Sequence, residues 1–266
     1  MKKIISVVNL KGGVGKTTTA VNLAACWGEM GKKVLLVDMD PQGSASISVG
    51  VSSEGDELLE ALQKRMVELP VVSTEVPGLD LVPSGMALAT ASLLYTDMGG
   101  NNSLTQCLEH TQGDWDLVVI DCPPSLGFHT INSLMASQHV IIPVETSFLG
   151  LNGLKQMVTA IESCKLKNPE LKIEAIIPCR AQRRRRIHWD IMDTLKEMFP
   201  KQVSPIIREN VSLAEAPGKG KPVILYDRLS KGADDYRLVT LWLDELMNGS
   251  AGDPEINQVR QLISSI

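Results

Sequence analysis

Lys11-Gly12-Gly13-Val14-Gly15-Lys16-Thr17-Thr18 is the stretch whose reading decides the fold. Ahead of it, Ile4-Ile5-Ser6-Val7-Val8 is a short β-branched run; behind it, Ala20-Val21-Asn22-Leu23-Ala24-Ala25 reads as a helix. A strand, a glycine-rich turn and a helix opening on Gly-Lys-Thr form a phosphate-binding loop. Glycines let the backbone curl until several N–H groups point inward at an anion, and the helix N-terminus adds partial positive charge. Gly12, Gly13, Val14, Gly15, Lys16, Thr17 and Thr18 are the candidate phosphate-binding residues. Lys16 is placed for the β- and γ-phosphates of ATP, and the Thr17 hydroxyl for Mg²⁺. The usual pattern G-x-x-x-x-G-K-[ST] opens on a glycine. Aligned on Gly15-Lys16-Thr17, that position is Leu10, and beside it stands a second lysine, Lys11.

Working outward, Gly31 is placed to cap a first helix from about Lys16 to Met30. Lys33 to Val37 reads as a buried strand running into Asp38-Met39-Asp40-Pro41-Gln42-Gly43. Leu117-Val118-Val119-Ile120 is a second such run, ending in Asp121-Cys122-Pro123-Pro124-Ser125. Apolar strands that end in carboxylates put those carboxylates at the C-terminal edge of a parallel sheet, where α/β proteins bind ligands. Asp121 fits a Walker B aspartate that reaches Mg²⁺ through water. Further strands are expected at 79–83, 140–144, 173–178 and 203–207. Helices are expected at 57–67, 87–94, 104–110, 154–165, 187–199 and 234–247. The alternation predicts an α/β fold of the P-loop type, a mostly parallel sheet with helices on both faces. Residues 1–248 read as a single ATPase domain, and 249–266 as a linker followed by a short helix or tail.

The composition narrows the function classes. With 266 residues and a formal net charge of -5, the chain can bury a full core and is no wholesale nucleic-acid coat. Its five cysteines lack C-x-x-C spacing, which predicts reduced thiols in a cytosolic protein. Its four histidines lack metal-ligand spacing. The apolar run after Lys2-Lys3 is too short for a signal peptide, and no stretch is long enough to span a membrane. Against this acidic background, Arg183-Arg184-Arg185-Arg186, with Arg180 just ahead, is out of proportion. Such a run can neutralise several phosphates of DNA.

Four motifs carry a family resemblance: Lys11 to Thr18, Asp38-Met39-Asp40-Pro41-Gln42-Gly43, Asp121-Cys122-Pro123-Pro124-Ser125 and Asn210-Val211-Ser212-Leu213-Ala214-Glu215-Ala216-Pro217. In this order they resemble the ParA (Soj-like) partition ATPases of the ParA/MinD group, which carry a deviant Walker A loop. The resemblance runs from near Ile4 to near Met247. It implies that Lys11 crosses an ATP-sandwich homodimer to touch the phosphates bound by the other subunit, in the manner of an arginine finger. It also implies catalytic roles for Lys11, Lys16 and Asp40, with Asp40 orienting the attacking water. Asp121 and Asp38 would contact the metal through water.

The same resemblance implies slow ATP hydrolysis stimulated by a ParB-like or cargo-adaptor partner. It implies non-specific DNA binding by the ATP dimer, and a cytoplasmic, nucleoid-associated location. Arg180, Arg183, Arg184, Arg185 and Arg186 are the DNA-contact candidates. An arginine of chromosomal Soj proteins aligns with Arg184. Where those proteins have an arginine after Asn-Val in the last motif, this chain has Ser212, a departure that the denser arginine run offsets. Only Met1-Lys2-Lys3 precedes the first strand, so the helix-turn-helix of larger plasmid members is not expected. A MinD-like membrane-surface ATPase is the alternative, and the tail with its one basic residue (Arg260) speaks against stable membrane binding. A reductase resembling the nitrogenase iron protein would need cysteines paired across subunits, and Cys122 has no evident partner.

Overall fold

The computed structural model describes residues 2–64, 66–92, 102–181 and 186–249. Among them, seven strands build one sheet: β1 (Lys3–Val7), β2 (Val34–Asp38), β3 (Val72–Ser73), β4 (Leu79–Val82), β5 (Leu117–Asp121), β6 (His139–Glu145) and β7 (Lys172–Cys179). Their order is β3-β4-β2-β5-β1-β6-β7. Every pairing is parallel except β3 with β4 at one edge. Parallel strands need crossovers and become buried on both faces, which is why β2 and β5 read as unbroken apolar runs.

Side chains alternate between two cores. Ile5 and Val7, Val34 and Leu36, and Leu117 and Val119 pack on one face with α1 (Lys16–Glu29), the short helices α8 (Val211–Glu215) and α9 (Val223–Tyr226), and α10 (Lys231–Asn248). Leu35 and Val37, and Val118 and Ile120, pack on the other. That second core is covered by α3 (Asp56–Lys64), α4 (Ser103–His110), α5 (Phe128–Ala136), α6 (Phe148–Lys165) and α7 (Arg186–Met198). Helix α1 is apolar almost all round, with Ala20 to Trp27 buried, because it lies against the sheet on one side and α10 on the other.

Four expectations meet a different structure. Residues 203–207 make only isolated bridges, Ile176 to Val203 and Ala181 to Arg208. Pro205 interrupts that run and cannot donate to a ladder. Residues Met86–Ser92 form a 3₁₀ helix that buries Leu88 and Ala91, spaced to share a face at three residues per turn. Helix α6 begins at Phe148, a full turn and more before the expected start, because Ser147 caps it by accepting from the Gly150 N–H at 3.2 Å. Gly150 sits where a Cβ would lie 2.1 Å from the Glu145 carbonyl, so this glycine is required by packing rather than marking a loop. The last helix begins at Lys231, capped by Ser230. The tail beyond Gly249 lies outside the described residues.

Candidate nucleotide site

The loop between β1 and α1 is pinned from below. Asn9 is buried; its Nδ2 donates to the Pro143 carbonyl at 2.7 Å, and its Oδ1 accepts the Lys11 N–H at 3.0 Å. Gly15, with φ of 96°, supplies the left-handed turn into α1 that a side-chain-bearing residue adopts only with strain. Above the loop lies a cleft of about 410 Å³ lined by Gly12, Gly13, Gly15, Lys16, Thr17, Thr18 and, opposite them, Asp40, Ser44, Ser48 and Pro124. Ser44 and Ser48 belong to α2 (Ser44–Ser48), a short helix the sequence reading did not anticipate.

The two loop lysines are placed differently. Lys16 is buried and lines the cleft, and its Nζ donates to the Lys11 carbonyl at 3.3 Å. Burial pulls its pKa below the ordinary lysine value, an effect opposed by the charges of Asp121 and Asp40. Lys11 is not part of the cleft wall; its ammonium pairs with Glu145 at the end of β6. That contact holds the Glu145 carboxyl below the usual carboxylate range.

Asp38 and Asp121 face each other as register partners on β2 and β5, yet their surroundings differ. Asp38 accepts from the Asp40 N–H at 3.1 Å, the Ser46 N–H at 2.8 Å and the Ser46 hydroxyl at 2.7 Å. Burial nevertheless raises its pKa to about 6. Both Asp121 oxygens are buried without a hydrogen-bond partner. Burial and the neighbouring Asp38 charge push the Asp121 pKa well up; the Thr17 hydroxyl and the Lys16 ammonium pull the other way. An orphaned buried carboxylate beside a threonine hydroxyl and a phosphate cradle fits Mg²⁺, which takes oxygen ligands and keeps several waters. Among the described residues no three His, Cys, Asp or Glu side chains converge as a self-contained metal site. A cation here therefore needs phosphate oxygens and water to complete its shell. Asp40, also buried, accepts from the Gln42 N–H at 3.0 Å and looks into the cleft.

A second cleft of about 280 Å³ adjoins the first across Gly13, Gly15 and Thr18. Its far wall includes Cys179, Arg180, Ile207, Arg208, Asn210 and Leu213. The sequence reading named Arg180 and the Asn-Val motif but did not bring them together in one wall. Arg208 is fixed there by Asp235, with the closest contact at 2.7 Å, and the buried Asn210 Oδ1 has no hydrogen-bond partner. The structure puts Arg180, a DNA-contact candidate, into this wall, 3.6 Å from Glu209. Arg183, Arg184 and Arg185 lie outside the described residues; of Arg186 only its place at the start of α7 is described. Ser212 donates to Asp227 at 2.8 Å. All five cysteines are free and buried, and burial pushes Cys26, Cys122 and Cys179 up to about 12, so these three remain thiols.

With this geometry in view, a family model described as AAA domain matches residues 2–173. The sporulation initiation inhibitor protein Soj of Bacillus subtilis (strain 168) is 40% identical over 242 residues, covering 89% of this chain and 96% of its own length. The chromosome partitioning protein ParA of Myxococcus xanthus (strain DK1622) is 38% identical over 240 residues, covering 88% and 85%. Cobyrinic acid a,c-diamide synthase from Mycobacterium smegmatis, solved with a bound ATP analogue and magnesium, is similar in structure. Its TM-score is 0.78 at 30% identity, covering 95% of this chain and 98% of that one.

Proposed function

Because the chain belongs to the ParA/MinD family of P-loop ATPases, we propose that it is a partition or cargo-positioning ATPase whose ATP-bound form is a face-to-face homodimer. Each phosphate cleft takes the triphosphate of ATP, and the adjoining cleft takes its base. The backbone of Gly12 to Thr18 and the Lys16 ammonium bind the phosphates; Thr17 and Asp121 hold Mg²⁺, with Asp38 behind them. Bound there, Mg²⁺ would supply charge neutralisation for phosphoryl transfer. Asp40 orients the attacking water. Lys11 contacts the phosphates of the other subunit, so ATP controls association and hydrolysis ends it.

The observation that carries this reading is the division between the two lysines. Lys16 lines the cleft of its own chain, whereas Lys11 stands outside it at the rim. A lysine in the loop that does not serve its own phosphates is free to serve another chain's. The dimer binds DNA without sequence preference through Arg183 to Arg186, and a ParB-like or cargo-adaptor partner speeds hydrolysis and release. Co-sedimentation with DNA tests this: the wild-type chain with ATP pellets with DNA, while the ADP state and Lys11→Ala with ATP do not. Equal binding in all three would refute the switch.

A further inference from the structure

Both loop lysines have partners within their own chain. Lys16 donates to the Lys11 carbonyl at 3.3 Å, and Lys11 pairs with Glu145. The Lys11 backbone is fixed from the other side through Asn9, which is anchored to β6 at Pro143. Only the Lys11 side chain can therefore move without disturbing the loop. Glu145 sits at the last position of β6, in register with Cys179 of β7, so that Arg180 follows directly beside it. Its carboxylate is held down first by Lys11, then by Arg180, with the Ser147 hydroxyl contributing.

From this arrangement we infer that Glu145 is an intramolecular latch on Lys11, a positioning residue that restrains the free chain from ATP-dependent pairing. The inference rests on the reading of Lys11 as a contact to the other subunit. Lys11 and Glu145 each keep about 30% of their side-chain surface exposed, so water screens the pair and it opens at small cost. When Lys11 leaves, Glu145 is not orphaned, because Arg180 and Ser147 remain beside it. Lys11 exchanges one carboxylate for a polyphosphate of higher charge. The exchange is downhill only when that phosphate is present, which makes the latch selective for the triphosphate-bound partner.

The experiment compares the full chain with Glu145→Gln, Glu145→Asp and Lys11→Ala. Sedimentation velocity over a range of protein concentrations, with Mg²⁺ and ATP or with ADP, reads the dimerisation constant. Binding of a fluorescent ADP analogue reads the intrinsic site. Glu145→Gln removes the restraining charge, so its ATP-dependent dimer forms at roughly three- to tenfold lower concentration, the span such ion pairs supply. ADP affinity stays unchanged. Glu145→Asp keeps the charge on a shorter arm and falls between. A merely structural role for Glu145 gives the opposite sign, because a damaged chain dimerises less well. An unchanged or weaker Glu145→Gln dimer overturns the latch; if Lys11→Ala still abolishes pairing in that case, the trans role of Lys11 survives. A Lys11→Ala chain that pairs with ATP like wild type overturns both.

Discussion

At the N-terminal edge of the sheet, charges are settled within the chain. Glu174 accepts from His139 at 2.6 Å and pairs with Lys172 at 2.9 Å, and these contacts outweigh burial to keep its pKa low. Lys33 meets Asp114 at 2.8 Å, while its N–H donates to Asp116. At the C-terminal edge, Asp121 is buried with only the Thr17 hydroxyl close to its oxygens, and Lys11 pairs with Glu145. One edge pairs its charges within the chain; the other buries the Asp121 carboxylate without a comparable partner. Unsatisfied buried groups cost stability, and a fold retains them where binding restores what they lose.

Substitutions at the two edges should therefore separate binding from stability. The largest effect is expected for Lys16→Ala, which removes the charge aimed into the cleft. ATP hydrolysis should fall by about 100-fold or more, with unchanged urea unfolding of the nucleotide-free chain. An unaltered rate would remove the cleft from the chemistry. Glu174→Ala should do the reverse. It should cost about 1–2 kcal/mol in urea denaturation, since exposed Lys172 keeps the cluster in touch with water, and leave ATP affinity unchanged.

The edges should also respond to pH in opposite directions. Asp38, raised to about 6, and Asp121, also raised, have folded pKa values above their unfolded ones. Their contribution is present in full below the unfolded value and lost as pH rises through the folded one. Without nucleotide or Mg²⁺, the melting temperature should rise as pH falls from about 6.5 to about 5. Glu174 and Glu29 have lowered pKa values, so their contribution is present above the unfolded value and lost at lower pH. Stability should therefore turn down again below about pH 4.5. A melting temperature that falls steadily from neutrality would show that the strand-end aspartates are not strained. The smallest effect is expected for Lys33→Ala, whose pair is exposed on both sides; neither melting temperature nor ATPase rate should move.

Much of the C-terminal edge could be read from the sequence because its chemistry is written in short contiguous motifs. Lys16, Thr17, Asp38 and Asp121 follow directly from a glycine loop and two apolar runs ending in aspartate. What escaped depends on contacts across the chain. Nothing near Asp38 says that Ser46 will occupy its carboxylate while Asp121 stays bare. Glu145 drew no notice, because its partner Lys11 is 134 positions away. Helix α5 was missed because Asn132 and Ser133 blur its apolar period; both are buried, returning hydrogen bonds to the Phe128 and His129 carbonyls. β7 delivers Arg180, expected at the DNA surface for its nearness to the arginine run, to the wall of the second cleft with half of its side chain still exposed.

The bare carboxylate of Asp121 offers the most direct test of the whole account. Thermal unfolding of wild type and Asp121→Asn, with and without Mg²⁺ and a non-hydrolysable ATP analogue, compares cost with purpose. In the absence of ligand the variant should be the more stable by about 1–3 kcal/mol at neutral pH, because the buried carboxylate whose ionisation burial and Asp38 oppose is replaced by a neutral amide. With ligand, wild type should gain stability in a Mg²⁺-dependent way and the variant should gain little. A variant less stable than wild type without ligand, yet stabilised equally by Mg²⁺ and nucleotide, would contradict the claim that this edge is left incomplete for them.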